Sequence, residues 1–184
     1  TFNTMQVQET GFEGLLTLQP RIFKDDRGTF YESWNEATFK NLGLDFRFVQ
    51  DNQSISHKNV LRGLHFQLAP HAQGKLVRVT RGQALDVVVD LRKDSKTYGQ
   101  HYKLVLCSDK ANIMWIPAGF AHGFIALEDD TIFQYKCDAV YNPKSEECLI
   151  WNDPKLGIDW GIDKPIISSK DEEGKRFDDL NTSF

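Results

Sequence analysis

Asn59–Arg78 reads NVLRGLHFQLAPHAQGKLVR, a β-favouring stretch interrupted by two glycines and a proline. It places Arg62, His65 and Lys75 close together in the sequence. A neutral imidazole can accept a proton near neutral pH, and fixed cations suit a substrate that carries or develops negative charge. A structural interpretation stays open, because a histidine on a strand is often only hydrogen-bonded and strand cations are often solvated. The stretch predicts β-structure and a candidate site whose role depends on the rest of the chain.

Short β-favouring segments separated by turn residues continue on both sides of this stretch. Leu85–Arg92 alternates between apolar and polar residues, as a strand with two different faces does. The repeated spacing is typical of a sandwich or barrel rather than of a βαβ protein. Asn35 is predicted to cap a short helix ending at Asn41, and Ser168–Asp171 to form the capping box of a C-terminal helix. Further strands are predicted over residues 15–23, 29–34, 46–53, 102–107, 112–116, 121–127 and 131–141.

Composition and charge narrow the class of protein. The 184 residues are 40% hydrophobic and 26% charged, which indicates one globular domain spanning residues 1–184. A net charge of −4 without a long basic run argues against nucleic acid as a partner, although a small site can still be locally positive. The polar N-terminal segment predicts no signal peptide, and the absence of a long apolar run predicts no membrane association.

The cysteines indicate the cellular compartment. Cys107, Cys137 and Cys148 are odd in number and lack the CxxC spacing of zinc or redox sites. This pattern favours reduced thiols in a cytoplasmic protein over a disulfide framework.

Five motifs occur together in one order along the chain. They are FKDDRGTFYE (Phe23–Glu32), VQDNQSIS (Val49–Ser56), LRGLHFQ with QGKLVRV (Leu61–Val79), IPAGFAHGF (Ile116–Phe124) and WNDPKLGIDW (Trp151–Trp160). In this order they resemble the dTDP-4-dehydrorhamnose 3,5-epimerases over roughly residues 10–172. The resemblance implies an all-β cupin-type jelly-roll barrel, or double-stranded β-helix, with short helices near both termini. It implies epimerisation at carbons 3 and 5 of dTDP-4-dehydro-6-deoxy-D-glucose to give dTDP-4-dehydro-L-rhamnose.

This reaction needs a base, an acid on the opposite face and stabilisation of the enolate between them, because the ketone acidifies both flanking carbons. The resemblance implies that His65 is the base, Tyr135 the proton donor, and Lys75 a catalytic residue that holds the developing oxyanion. It gives Asp171 the role of orienting His65. Other interpretations stay open: Asp171 is also the acidic member of the predicted capping box, and Tyr135 fits an apolar core. Asp86 or Asp90 are alternative partners for His65.

The resemblance also assigns residues that bind the substrate. Tyr141 corresponds to an aromatic residue that stacks on thymine, with Phe23 near the base, while Arg27 and Lys170 suit the diphosphate. The family is dimeric, so the N-terminal segment is expected to complete the site of the neighbouring subunit in a homodimer. The full set implied is Phe23, Arg27, Glu32, Gln50, Asn52, Arg62, His122, Tyr141, Glu146 and Lys170.

The backbone around Gly63 must be irregular if these assignments hold. Simple alternation places Arg62 and His65 on opposite faces of a strand. Both side chains can enter one cavity only if the strand bulges, and Gly63 is the natural position for it.

Metal chemistry is not expected. Metal-binding cupins use a His-x-His pair and a glutamate in the first motif and a histidine in the second. Here His65 is followed by Gln67, and only His122 remains in the later motif. Two imidazoles without a carboxylate ligand make a poor metal site, so the sequence predicts metal-free chemistry without a cofactor.

Three other functions are compatible with parts of the sequence. Single-site epimerases and ketoisomerases of related deoxysugar pathways use the same scaffold and the same kind of base. A cupin that only binds a sugar nucleotide would have lost the base or the acid, whereas this chain has both His65 and Tyr135. A metal-dependent oxygenase is disfavoured by the missing ligands.

Overall fold

The computed structural model describes residues 5–184, so the first four residues of the polar N-terminal segment lie outside it. Two short α-helices are present, α1 (Glu36–Asn41) and α2 (Ser169–Glu172), with a 3₁₀ turn at Phe177–Asp179. The strands, in chain order, are β1 (Met5–Glu9), β2 (Leu16–Pro20), β3 (Phe23–Asp25), β4 (Gly28–Phe30), β5 (Gln50–Ser56), β6 (Leu61–Gln67), β7 (Lys75–Arg81), β8 (Gln83–Asp90), β9 (His101–Cys107), β10 (Ile113–Ile116), β11 (Phe120–Ala126), β12 (Thr131–Cys137) and β13 (Glu146–Cys148).

Two antiparallel sheets form the body of the molecule. The six-stranded sheet has the order β1-β2-β10-β7-β12-β5, and the five-stranded sheet has the order β13-β6-β11-β8-β9. Neighbouring strands are often far apart in sequence, as in a jelly roll. The strands β3 and β4 form a separate two-stranded hairpin. The all-β, cupin-type fold is confirmed.

The apolar residues separate into three clusters that fix where a ligand can enter. The middle cluster joins both sheets, with Val77 and Phe133 from one and Val88 and Phe124 from the other. A second cluster lies where the C-terminal segment covers the five-stranded sheet, and a third where α1 packs on the six-stranded sheet through Phe39. Both outer faces are therefore partly covered, and a site between the sheets has room only where the middle cluster does not fill that space.

Both predicted helix starts are confirmed by their caps. The backbone N–H of Thr38 donates to Oδ1 of Asn35 at 3.1 Å, and that of Asp171 donates to Oγ of Ser168 at 3.2 Å. Along the described residues, neither α-helix is long and apolar enough to cross a membrane.

Several strand boundaries differ from the prediction. The strand predicted over residues 46–53 begins at Gln50 and continues to Ser56. Phe46 instead stacks on Trp115, with ring centroids 3.7 Å apart, so this aromatic residue covers the six-stranded sheet rather than joining it. The strands β1 and β13 were not predicted, because their polar sequences form strands only by pairing with β2 and β6.

The predicted bulge at Gly63 is confirmed. His65 pairs with His122 and Arg62 pairs with Phe124, so two residues of β6 oppose one residue of β11. Gly63 has a φ of +126°, and a Cβ there would lie 2.6 Å from the Cα of Gly123. Only glycine fits this approach of the two backbones.

Candidate active site

A cavity of about 330 Å³ opens among strands of both sheets. It brings together eight of the residues predicted from the sequence: Arg62, His65, Lys75, His122, Tyr135, Glu146, Lys170 and Asp171. His65 is on β6 and Tyr135 is on β12, so they reach the cavity from different sheets. The residues predicted to be the base and the acid therefore face one space.

The imidazole of His65 is paired with the carboxylate of Asp171. His65 Nε2 lies 2.7 Å from Asp171 Oδ1, and the backbone N–H of Gly63 donates to Oδ2 at 3.1 Å. The Asp171 side chain is 6% exposed, whereas that of His65 is 30% exposed and open to the cavity. Burial acts to raise the pKa of Asp171, but the hydrogen bond and charge of His65, the Gly63 N–H and the charge of Lys170 bring it below its usual range.

The carboxylate of Asp171 bonds His65 and Gly63 rather than Ser168, so it has the orienting geometry and does not complete a capping box. The backbone N–H of Asp171 takes part in the cap of α2, while its side chain serves His65. The alternative partners were wrong: Asp86 pairs with His122, and Asp90 is bound by Arg92.

A second histidine–aspartate pair lies deeper in the barrel. His122 Nε2 is 2.8 Å from Asp86 Oδ2, and both side chains are buried. Burial lowers the pKa of His122, with Asp86 opposing and Lys75 and His65 adding to the effect, which favours a neutral ring. Burial likewise raises the pKa of Asp86, against the influence of His122 and Lys75. The other Asp86 oxygen, Oδ1, is buried without a hydrogen-bond partner in the described protein.

Lys75 and Arg62 are two of the three cationic side chains that line the cavity, with Lys170 the third. Lys75 Nζ donates to the backbone carbonyl of His65 at 3.4 Å, and Arg62 Nε donates to Oγ of Ser56 at 3.1 Å. Burial lowers the pKa of Lys75, and the acidic groups of Cys137, Asp86 and Glu146 act against that shift. Positive charge in such a poorly hydrated space interacts strongly with a developing anion.

Tyr135 is held as an un-ionised phenol. Burial raises its pKa, Cys137 and Glu146 raise it further, and the charge of Arg62 acts in the opposite direction. Its ring packs edge-on to Phe133, with centroids 6.3 Å apart. A neutral phenol in this position can donate a proton into the cavity.

An adjoining cavity of about 100 Å³ gathers predicted nucleotide-binding residues. Gln50, Asn52, Tyr141 and Glu146 line it, and it shares His65, Lys75 and Tyr135 with the larger cavity. The hydroxyl of Tyr141 donates to Oε2 of Glu146 at 2.9 Å, and the same oxygen pairs with Lys170. The backbone N–H of Tyr141 donates to Oε1 of Gln50 at 2.7 Å.

Three predicted residues stay outside these cavities within one chain. Phe23 and Arg27 lie on the exposed β3–β4 hairpin, where Arg27 pairs with Asp25 and its side chain is 90% exposed. Glu32 accepts hydrogen bonds from Asn35 and Thr38 at the start of α1. Their predicted contact with substrate therefore requires another subunit.

Four residues of the larger cavity were missed: Gln53, Ser54, Phe124 and Ser168. Ser54 Oγ is buried without a hydrogen-bond partner in the described protein, so it is free to bind a ligand hydroxyl. A strand predicted to continue through Ser56 would have placed Ser54 on the same face as Gln50 and Asn52.

The residues that could hold a metal ion differ from the cupin pattern. The Gln67 side chain donates to the backbone carbonyls of His71 and Val140, and His122 has its own carboxylate. Instead, ligand atoms of His65, Cys148 and Asp171 all lie within 4.8 Å of one another. The carboxylate beside the first-motif histidine comes from α2, outside both cupin motifs.

Comparisons with known proteins agree with this geometry. A family model described as dTDP-4-dehydrorhamnose 3,5-epimerase matches residues 9–179. The Escherichia coli K12 enzyme of that name is 48% identical over 178 residues, which cover 96% of each chain. Its counterpart from Elizabethkingia anophelis has a crystal structure that matches with a TM-score of 0.91, at 44% identity over 97% of this chain and 99% of that one.

A third relative has been crystallised with a ligand. The dTDP-6-deoxy-D-glucose-3,5-epimerase of Legionella pneumophila, in complex with dTDP-4-keto-L-rhamnose, matches with a TM-score of 0.91. It is 42% identical over 96% of this chain and 95% of that one. Fold, cavity and these similarities lead to one conclusion: the chain belongs to the dTDP-4-dehydrorhamnose 3,5-epimerase family.

Proposed function

We propose that this protein epimerises carbons 3 and 5 of dTDP-4-dehydro-6-deoxy-D-glucose and releases dTDP-4-dehydro-L-rhamnose. The observation that carries the proposal is the placement of His65 and Tyr135 on different sheets facing one cavity. Inversion of a carbon requires a base on one side of the ring and an acid on the other.

His65 is the base in this proposal. The low pKa of Asp171 favours a carboxylate that accepts the Nε2–H of His65, which leaves the lone pair of Nδ1 to accept a proton. The proton leaves the carbon beside the ketone, and its electron pair moves into the ring as the ketone becomes an enolate. Asp171 then stabilises the imidazolium that forms.

Lys75 stabilises the enolate, with Arg62 as a second cation in the same cavity. Tyr135 returns a proton from the opposite side, its phenolate recovers a proton from solvent, and the imidazolium of His65 gives its proton to solvent. The same sequence of steps at the second carbon completes the reaction. The steps use only protons, so they need no oxidant or reductant.

Solvent exchange tests the function directly. We expect the protein, incubated with dTDP-4-dehydro-6-deoxy-D-glucose in deuterated water, to place deuterium at carbons 3 and 5. Deuterium at one carbon would indicate a single-site enzyme. Deuterium at neither carbon would remove the epimerase assignment and favour a binding cupin.

We also propose that the active form is a homodimer. The β3–β4 hairpin exposes aromatic side chains, with Phe30 70% exposed. The edge strand β5 exposes Ile55, which is 59% accessible. Apolar side chains on an edge strand usually need cover, and a second copy of the chain can provide it. The hairpin of one subunit, carrying Phe23 and Arg27, would then reach the cavity of the other.

We further propose that residues 1–184 form one cupin-like domain and that the protein works in the cytoplasm. The support for this is the continuous pairing of strands within two packed sheets and the three free thiols.

A further inference from the structure

The surroundings of His65 contain one residue that the proposed reaction does not use, Cys148. This residue lies on β13 directly opposite His65 on β6. Its Sγ is 4.0 Å from Asp171 Oδ1, and His65 Nε2 is 2.7 Å from the same oxygen. An imidazole, a thiol and a carboxylate thus converge at one point from β6, β13 and α2.

These three groups suit a zinc ion. Zinc prefers nitrogen and sulfur ligands with one carboxylate, whereas Mg²⁺ and Ca²⁺ prefer oxygen ligands alone. Around tetrahedral zinc, neighbouring ligand atoms lie about 3.3–3.5 Å apart. The pair His65–Asp171 must therefore open, and the pair Cys148–Asp171 must close, by about half an ångström each. His65 and Asp171 also line the larger cavity, so a water molecule can fill the fourth position.

We propose that His65, Cys148 and Asp171 bind Zn²⁺ and that zinc bound there switches the enzyme off. The ion lies between the imidazole and the carboxylate, where the hydrogen bond was. His65 binds it through Nε2 once its single proton has moved from Nε2 to Nδ1 through solvent, Asp171 stays a carboxylate, and Cys148 releases its proton to solvent. The imidazole then has no lone pair left to accept a proton from the sugar. The loss of activity rests on the proposed function, whereas the metal binding does not.

Cys148 gives the site its selectivity. A soft cation such as Zn²⁺ stabilises the thiolate, so Cys148 becomes a ligand. A hard cation such as Mg²⁺ does not stabilise it.

Cobalt and zinc titrations test the binding. Co²⁺, used as a spectroscopic substitute for Zn²⁺, should bind once per chain, give a thiolate-to-cobalt charge-transfer band and be displaced by Zn²⁺. Cys148→Ser should remove the band and weaken zinc binding at least tenfold, because a hydroxyl is a poor zinc ligand. Cys107→Ser is the matched control, since that thiol lies on β9 outside the cluster, and it should behave as wild type.

Solvent exchange tests the inhibition. Saturating Zn²⁺ should abolish deuterium incorporation by the wild type, and a chelator should restore it. Cys148→Ser should exchange normally without metal and keep its activity at the same zinc concentration. A charge-transfer band that persists in Cys148→Ser, or a wild type that binds neither metal stoichiometrically, would overturn the site. Stoichiometric zinc binding through Cys148, in a protein that never exchanges deuterium, would keep the metal site and remove the proposed function instead.

Discussion

The carboxylate of Asp171 holds two parts of the site together, because it accepts hydrogen bonds from the ring of His65 and from the backbone of Gly63. Its low pKa keeps it negative at neutral pH, beside a ring that must become positive during the reaction. A neutral side chain of the same shape would keep the packing and lose this stabilisation.

We expect Asp171→Asn to lower kcat for solvent exchange about 10²–10⁴-fold, since the amide cannot stabilise the imidazolium. Deuterium incorporation followed by NMR measures the effect. Glu172→Gln, the next and exposed carboxylate of α2, is the control and should exchange as the wild type does. If Asp171→Asn exchanged within about threefold of the wild type, the orienting role would be wrong.

Substitution of Tyr135 is expected to abolish inversion of the sugar carbon without abolishing solvent exchange. In Tyr135→Phe, His65 can still remove and return a proton on its own face, but no group donates from the other. We therefore expect deuterium at one carbon or more without formation of the L-rhamno product, measured by NMR of the sugar. Tyr102→Phe is the control, because Tyr102 packs on the same apolar cluster. Inverted product from Tyr135→Phe would mean that another group is the acid.

At this scale the sequence motifs located most of the cavity but only some of the partners within it. His65 and Lys75 stand in the third motif and His122 in the fourth, and all three line the cavity. Asp86 could be assigned to His65 as well as to His122, because alternation gives only the face of a strand. The choice depends on the pairing of β8 with β11, which places Asp86 opposite Phe124 and so two residues along from His122, and that pairing is a long-range contact.

Among the elements, β6 depends most on a single residue. We expect Gly63→Ala to destabilise the fold by about 2–5 kcal/mol, because the new methyl group meets the backbone of β11 at a positive φ. Denaturant unfolding measures the change. Gly157→Ala is the matched control: its φ is +58°, but nothing lies within 4 Å, so only the conformational cost of about 1–2 kcal/mol should appear. Equal costs for the two variants would contradict the close approach at Gly63.

The buried carboxylate of Asp90 stabilises the turn after β8. It accepts hydrogen bonds from Arg92, Ser95 and Thr97. Burial acts to raise the pKa of Asp90, but these hydrogen bonds lower it below the usual range. A lowered pKa in the folded state contributes stability above the ordinary carboxylate pKa, and this contribution is lost as the pH falls through the folded value.

We expect Asp90→Asn to lower the free energy of unfolding at pH 7 by about 1–3 kcal/mol, the usual worth of hydrogen bonds to a charged group. The difference from the wild type should begin to shrink below about pH 4, where the carboxylate of the unfolded chain is protonated, and should be lost as the pH falls through the lower pKa of the folded state. Denaturant unfolding at several pH values measures both effects. Asp45→Asn, which removes an exposed partner of Lys40, is the control and should change little. A difference that stayed constant with pH would contradict the role of the charge.

Element boundaries were predictable where local signals decide them and not where pairing does. Asn35 and Ser168 gave correct helix starts, because capping is a contact between neighbours in sequence. The polar strand β13 had no such signal, and it exists because it pairs with β6. The bulge at Gly63 was predictable only because Arg62 and His65 were both expected to face one cavity.

At the scale of the whole molecule, one chain brings together the proposed catalytic residues but not every predicted contact with the nucleotide. The cavity is lined by the proposed base, the proposed acid and the cations, whereas Arg27 lies on an exposed hairpin with Asp25 as its partner. Salt bridges this exposed contribute little, so Arg27 is free to exchange Asp25 for a diphosphate of the neighbouring subunit's substrate.

Co-expression of two defective chains tests whether subunits share their sites. In a heterodimer of Arg27→Ala and His65→Ala, one cavity lacks both residues, but the other has an intact His65 and receives Arg27 from its partner. Random pairing should restore about a quarter of the wild-type sites, measured as exchange at low substrate concentration. Co-expression of His65→Ala with Lys75→Ala is the control and should restore nothing, because both defects fall within cavities of single chains. If co-expression of Arg27→Ala with His65→Ala gave no more exchange than the sum of the two homodimers, Arg27 would lie outside the neighbouring site. The main argument for a shared site would then be lost.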